Sequence, residues 1–137
     1  MAIPGSCLCG GVRYELDAEP TPATHCHCSR CRKTSGTYGS VGGTVAREDF
    51  RLLEGAELLR VWKADAEAGP KVFCVRCGST LFGGDGWPAG DIVKVRFGTL
   101  DADPGSRPVR RIHLASAAPW LPVPDDGLDR HEGAPPS

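Results

Sequence analysis

The stretch Cys74-Val75-Arg76-Cys77-Gly78 places two thiols three residues apart on a predicted tight turn. Two thiolates at this spacing can bind one zinc ion, and the glycine that follows lets the chain fold back so that backbone amides reach the sulfurs. Such a zinc knuckle supplies only two of the four ligands of a tetrahedral structural site. The other ligands must therefore come from a distant part of the chain.

The remaining cysteines form two groups, the pair Cys7 and Cys9 and the triplet Cys26, Cys28 and Cys31. The pair is the better complement to the knuckle, because it leaves a compact triplet whose sulfurs can converge on a second ion. The alternative for the pair is that both residues are ordinary buried thiols. The division of the cysteines favours one site with four thiolates and one with three.

A zinc ion held by three thiolates keeps one coordination position open, and that position is where zinc acts on a substrate. Two histidines, His25 and His27, flank the triplet cysteines. Either imidazole would close the shell and make the site structural. Because neighbouring side chains alternate along an extended chain, we expect His27 to point away from the sulfurs. The sequence leaves both the open and the closed arrangement possible.

Composition narrows the class of protein. Seven cysteines are an odd number, and clusters with metal-ligand spacing argue against a disulfide framework. The 16 basic and 17 acidic residues are mixed along the chain, without the basic stripe that nucleic-acid binding requires. Residues 1–6 lack the features of a secretion signal, and no apolar run has the length of a membrane span. We therefore expect a cytoplasmic protein, with neither nucleic acid nor membrane as a partner.

Short apolar runs separated by 18 glycines and 12 prolines predict an antiparallel all-β domain with a few short helical turns. The helical turns are expected at residues 29–34, with Ser29 as the cap, and at residues 47–53. The Gly83-Gly84-Asp85-Gly86 stretch is typical of a hairpin loop. We expect one domain at residues 1–130 and a loose tail at residues 131–137. Strands are predicted at residues 11–16, 38–45, 58–62, 71–73, 80–82, 92–97 and 111–114.

Three segments resemble the glutathione-dependent formaldehyde-activating enzyme family, whose domain also occurs in centromere protein V. The segments are Cys7-Leu8-Cys9-Gly10-Gly11-Val12-Arg13-Tyr14-Glu15, His25-Cys26-His27-Cys28-Ser29-Arg30-Cys31-Arg32-Lys33 and Phe73-Cys74-Val75-Arg76-Cys77-Gly78-Ser79-Thr80-Leu81-Phe82. The 92–99 strand and the Ala118-Pro119-Trp120 segment are similar to the family's C-terminal half. The resemblance covers nearly the whole chain.

The resemblance implies a zinc-stabilised antiparallel β-tent fold and two zinc ions per chain, the second of which is held more weakly and is partly occupied. It assigns Cys7, Cys9, Cys74 and Cys77 to a structural zinc, and Cys26, Cys28 and Cys31 to a catalytic zinc. The reaction that it implies is the condensation of glutathione with formaldehyde to S-(hydroxymethyl)glutathione, classed as a carbon–sulfur lyase in the reverse direction. The expected partners are therefore a small-molecule thiol and a small aldehyde.

A three-cysteine site suits this chemistry, because three thiolates make zinc a weak electrophile that can still favour deprotonation of an incoming thiol. A proton donor for the new hydroxyl is predicted among His27, His25 and water. Basic side chains near the clusters are candidates for glutathione carboxylates or are simply a solvated surface: Arg30, Arg32, Lys33 and Arg76. The alternative function is a non-catalytic zinc-stabilised β-tent binding module. Methionine sulfoxide reduction is disfavoured, because no cysteine is left outside the predicted ligands. The sequence carries no signal for the oligomeric state.

Overall fold

The computed structural model describes residues 2–136, which form two β-sheets, one α-helix and short 3-10 turns. The predicted all-β class is confirmed. The strands are β1 (Ile3–Ser6), β2 (Arg13–Leu16), β3 (Ala23–Cys26), β4 (Ser40–Ala46), β5 (Phe50–Glu54), β6 (Leu59–Trp62), β7 (Lys71–Cys74), β8 (Thr80–Gly83), β9 (Ile92–Arg96), β10 (Pro108–Ile112) and β11 (Asp129–Arg130), and the helix is α1 (Ser29–Ser35).

The small sheet has three strands in the order β1-β2-β5, and the large sheet has eight in the order β11-β10-β3-β4-β9-β8-β7-β6. Most neighbouring strands are antiparallel, as predicted. The exception is β10, which pairs in parallel with both β3 and β11. Parallel pairing is possible here because long connections, rather than tight hairpins, separate β10 from both partners.

The core lies between the small sheet and one face of the large sheet. Tyr14 of β2 and Phe50 of β5 meet Phe82 of β8 edge-to-face, with ring centroids 4.8 and 4.9 Å apart. On β9, Val93 and Val95 are fully buried in this core, whereas Lys94 is exposed between them. Because side chains alternate along a strand, the opposite face of the large sheet stays free of the core.

Two local predictions need correction. Residues 47–53 were expected to be helical, but only Arg47–Asp49 form a 3-10 turn, and the chain then enters β5, where Phe50 is buried and pairs with Leu16. At α1 the cap is Cys28 rather than Ser29, since the Cys28 sulfur accepts a hydrogen bond from the Cys31 amide. The predicted hairpin loop is confirmed from Gly84 onward, because Gly83 ends β8 and residues 84–91 join the antiparallel strands β8 and β9.

Residues 131–133 of the C-terminal segment lie beside residues 113–115, which directly follow β10. The backbone amides of residues 113, 114 and 115 donate hydrogen bonds to the carbonyl oxygens of residues 133, 131 and 132. The division into a domain at 1–130 and a tail at 131–137 stays a prediction. Within residues 2–136, no helix combines the length and the apolar character needed to cross a membrane.

Candidate metal centres and the adjoining cavity

The first cysteine group joins the turn after β1 to the turn between β7 and β8. The sulfurs of Cys7, Cys9, Cys74 and Cys77 all lie within 4.8 Å of one another. The Cys7–Cys9 and Cys9–Cys74 sulfur separations are 3.5 and 3.9 Å. Four sulfurs bound tetrahedrally to one zinc would lie ~3.8 Å apart. The donor set and its spacing therefore fit a single zinc ion.

Hydrogen-bond donors surround these sulfurs. The amide of Val12 lies 3.3 Å from the Cys7 sulfur, and Nε of Arg76 lies 3.2 Å from the Cys9 sulfur. The backbone amide of Gly11 and the Arg76 guanidinium lower the pKa of the Cys9 thiol from its ordinary value. Donors of this kind stabilise thiolates, which are the form that binds metal. Arg76 is thus engaged with the four-cysteine group.

The second group forms where β3 runs into α1. The sulfurs of Cys26, Cys28 and Cys31 lie within 4.8 Å of one another. Cys26 ends the strand, Cys28 caps the helix and Cys31 follows in the first turn, so one short stretch brings the three sulfurs together. Hydrogen bonds from the Cys26 and Cys28 thiols hold the pKa of Cys31 well below its ordinary value.

Within residues 2–136, no further histidine, cysteine or carboxylate belongs to the three-sulfur group. The set therefore offers a tetrahedral metal three ligands and leaves the fourth position to another molecule, which suits a zinc site that works on a substrate. Soft thiolate ligands favour zinc over magnesium or calcium. Both cysteine groups are compatible with zinc.

Neither flanking histidine joins the sulfurs. His25 pairs with Val41 across the sheet and, being next to Cys26 on the same strand, projects to the opposite face. Its Nδ1 lies 2.7 Å from the hydroxyl of Tyr38. His27 is completely buried, and its Nε2 lies 3.0 Å from Nη1 of Arg111. Burial and the charge of Arg111 lower the pKa of His27 from its ordinary value. The expected orientation of His27, away from the sulfurs, therefore agrees with the structure.

A cavity of about 400 Å³ lies on the free face of the large sheet and reaches all three triplet cysteines. Its wall contains five cationic side chains and a single carboxylate, that of Asp85. Neither His25 nor His27 lines it. The cationic residues are Arg30, Lys71, Lys94, Arg96 and Arg110.

Most of these cationic side chains have no carboxylate partner in the described part of the chain. Arg30 lies 3.7 Å from Asp65 in an exposed ion pair, but the other four cations have no ion-pair partner among residues 2–136. Lys71 is the closest to the sulfurs, with its Nζ 3.9 Å from the Cys31 sulfur. Lys94, Arg96 and Arg110 have no ion-pair partner among residues 2–136, and a group of cations of this kind favours anionic ligands.

Sequence reasoning identified one of these cations and missed four. Arg30 lines the cavity, whereas Arg32, Lys33 and Arg76 do not. The missed residues lie on β7, β9 and β10, far in sequence from the triplet. The alternation Lys94-Val95-Arg96 signals a strand with one charged face. It does not tell which part of the chain that face will meet.

Comparison with known proteins identifies the family of this chain. The family model described as "Glutathione-dependent formaldehyde-activating enzyme" matches residues 2–116. The chain belongs to this family. The predicted family membership is thereby confirmed.

Two relatives define how close the similarity is. A curated protein of Halomonas elongata, named "Putative glutathione-dependent formaldehyde-activating enzyme", is 33% identical over 138 residues, covering 95% of this chain and 86% of the relative. The crystal structure of a Rhodobacter sphaeroides protein, solved by structural genomics, superimposes with a TM-score of 0.60 at 25% identity. That similarity covers 77% of this chain and 97% of the solved one.

Proposed function

We propose that this protein is a zinc-dependent carbon–sulfur lyase, which adds a thiol such as glutathione to a small aldehyde such as formaldehyde. The observation that carries the proposal is the three-sulfur group, which finds no fourth ligand among residues 2–136 and opens into a cation-lined cavity. Membership of the formaldehyde-activating family supports the same reaction. The partners are a small-molecule thiol and a small aldehyde.

In this proposal the two cysteine groups have different roles. Cys7, Cys9, Cys74 and Cys77 hold a structural zinc, since their four sulfurs complete a tetrahedral shell and tie the N-terminal turn to the knuckle. Cys26, Cys28 and Cys31 hold a catalytic zinc that is more weakly bound, because three donors face an open cavity. Two zinc ions per chain are expected at full loading. The seven thiols serve as ligands only in a reducing compartment, so we propose a cytoplasmic location.

Bound at the triplet, zinc would hold the substrate sulfur and favour loss of its proton. The reaction forms one carbon–sulfur bond and converts the aldehyde carbonyl into a hydroxyl. The proton lost from sulfur is balanced by the proton gained at oxygen, so no oxidant or reductant is required. The protein contributes by fixing the sulfur and the carbonyl carbon next to each other in the cavity.

The aldehyde oxygen gains negative charge as the carbon–sulfur bond forms. The candidate side chain for stabilising it is Lys71, whose ammonium lies beside Cys31 at the cavity wall. His25 and His27 are poor candidates for donating the final proton, because neither imidazole lines the cavity. Of the donors predicted from the sequence only water that enters the cavity remains, and His113, which lines the cavity, is the other candidate.

The test is the exchange rate between ¹³C-formaldehyde and S-(hydroxymethyl)glutathione, followed by magnetisation-exchange NMR. Zinc-loaded wild-type protein should accelerate the exchange above the spontaneous rate, and Cys28→Ser protein should not. Equal rates with the two proteins would instead support a non-catalytic zinc-stabilised module. Thermal unfolding of the Cys28→Ser protein provides the control for folding.

A further inference from the structure

The free face of the large sheet carries an ordered row of side chains across four neighbouring strands. Arg110 of β10 pairs with Thr24 of β3, Thr24 pairs with Gly42 of β4, and Gly42 pairs with Arg96 of β9. Residues paired in this way project their side chains to the same face. All four line the cavity, so two guanidinium groups mark the two ends of one row.

The centre of this row is open. Gly42 has no side chain and Thr24 has a short one, so nothing bulky stands between the two arginines. Three strand spacings separate the arginines, which puts their Cα atoms about 14 Å apart. Nε of Arg110 donates to the Thr24 hydroxyl at 3.0 Å, which fixes the side chain and leaves its terminal amino groups for a ligand. Arg96 has no ion-pair partner among residues 2–136.

The sulfur group lies beside the middle of the row. Cys26 is two residues from Thr24 on β3, Ser40 is two residues from Gly42 on β4, and these two residues pair with each other. Two residues along a strand correspond to about 7 Å. The face therefore presents a cation at each side and a metal-binding sulfur group next to the centre.

A tripeptide in extended form spans about 10 Å. When its first residue is joined through the side-chain carboxyl, as in a γ-glutamyl peptide, such a chain carries a carboxylate at each end. The Cα atoms of the two arginines lie about 14 Å apart, so their long side chains can meet both carboxylates. The central residue of the chain then lies next to Cys26. Arginine suits this task because its planar fork binds a carboxylate through two parallel hydrogen bonds.

We propose that Arg96 and Arg110 bind the two carboxylates of an extended tripeptide thiol, whose central cysteine faces the Cys26 group. This inference rests on the proposed function, because it assigns the residues that select the thiol for that reaction. Selection depends on charge at both ends of the ligand. A thiol without carboxylates should react at the same site but bind far more weakly.

The test measures the binding of a ligand that has both carboxylates but no thiol. The probe is γ-glutamyl-2-aminobutyryl-glycine, in which a methyl group replaces the thiol, and calorimetry gives its affinity for the zinc-loaded protein. Arg96→Met and Arg110→Met should each weaken binding roughly tenfold to hundredfold, the range for a hydrogen-bonded charge. Arg13→Met is the control, because Arg13 is exposed and lies outside the cavity. Arg110→Lys should give an intermediate loss, because it keeps the charge but not the fork.

A second probe assigns each arginine to one carboxylate. The same tripeptide with a C-terminal amide should bind wild-type protein more weakly. In one of the two methionine variants, replacing the C-terminal carboxylate of the probe with an amide should cause no further loss of affinity. In that variant the arginine that binds this carboxylate is already absent. The inference is overturned if wild-type protein does not bind the acid probe, if it binds acid and amide equally, or if both methionine variants bind as tightly as Arg13→Met.

Turnover of 2-mercaptoethanol with formaldehyde separates this inference from the proposed function. Arg96→Met and Arg110→Met should lose turnover of glutathione but keep turnover of 2-mercaptoethanol, which has no carboxylate. If wild-type protein turns over neither thiol, the proposed function fails, and the binding result alone decides the inference. Zinc content and thermal unfolding, measured on every variant, show that the site and the fold are intact.

Discussion

Nη1 of Arg111 lies 3.0 Å from Nε2 of His27, and both side chains are buried. A guanidinium can only donate, so Nε2 accepts and the neutral ring carries its proton on Nδ1. Nη2 of Arg111 donates to Asp126 at 2.7 Å. Because His27 stands between Cys26 and Cys28, this chain of contacts ties the segment before β11 to the three-sulfur group.

Replacing Arg111 should therefore affect both stability and metal binding. Arg111→Met leaves His27 without its partner in a buried site, and we expect a loss of about 3 kcal/mol in the free energy of unfolding. We also expect weaker metal binding at the triplet, because the residue between two ligands loses its anchor. Urea unfolding measures the first effect, and titration with Co²⁺, followed by its thiolate absorption, measures the second.

The four-cysteine group is the internal control for Arg111→Met. Its Co²⁺ affinity should change little, since its cysteines lie in the turn after β1, at the end of β7 and in the turn that follows β7. Arg107→Met is the matched control variant, because Arg107 forms an exposed ion pair with Asp103 at 2.7 Å, and such pairs contribute little. If Arg111→Met lowered the Co²⁺ affinity of both cysteine groups equally, Arg111 would have only a structural role.

The two cysteine groups should respond differently to serine substitution. Cys77→Ser removes one of four ligands that join the N-terminal turn to the knuckle. Structural zinc contributes on the order of 10 kcal/mol to folding, comparable to the whole stability of a small domain, so the variant should be largely unfolded. Cys28→Ser should keep the fold and lose one zinc. Metal analysis and thermal unfolding measure these outcomes, and an equal fall in Tm for both variants would contradict the division of roles.

Partial removal of metal should also distinguish the sites. A mild chelator should take one zinc per chain from the triplet first, because that group has three donors and faces the cavity. Far-UV circular dichroism should be unchanged at that stage and should collapse only when the second zinc leaves. Cys28→Ser protein, which should begin with one zinc, is the matched control and should show only the second step. Simultaneous loss of both ions from wild-type protein would exclude a weakly held triplet zinc.

Much of this architecture follows from patterns that are local in sequence. The cysteine spacings predicted the two groups, and short apolar runs such as residues 92–97 predicted strands. Strands β1, β3 and β11 were missed, and most of β5 was predicted to be a helical turn. Pro4 and Gly5 interrupt the β1 pattern, and β3 contains the polar run Thr24-His25-Cys26, so their pairing partners rather than their own residues decide their conformation.

The cavity was less predictable than the sulfur groups. Its two arginines, Arg96 and Arg110, come together only through the strand order β10-β3-β4-β9, which joins segments that are distant in sequence. The same holds for the contact of Arg111 with His27. Strand order and register are decided by packing of the whole sheet, so a single sequence read locally does not reveal which charged faces will meet.

The final prediction concerns the glycine that lies against the triplet. A Cβ atom at Gly39 would overlap the carbonyl oxygen of Cys26 and lie 3.3 Å from Cα of His27. Gly39→Ala must therefore push β4 away from the end of β3, where the first ligand of the triplet is held. We expect a loss of about 1–3 kcal/mol in the free energy of unfolding, as for other overpacked sites.

The displacement of β4 should also weaken zinc binding at the triplet, since a metal site tolerates only small shifts of its thiolate ligands. Gly39→Ala should contain close to one zinc per chain after dialysis, with the four-cysteine group still loaded. Gly98→Ala is the control, because no atom lies within 4 Å of a Cβ at that position. Two zinc ions per chain in both alanine variants would show that the close approach of Gly39 to Cys26 does not govern the triplet, and that its ligands adjust independently of β4.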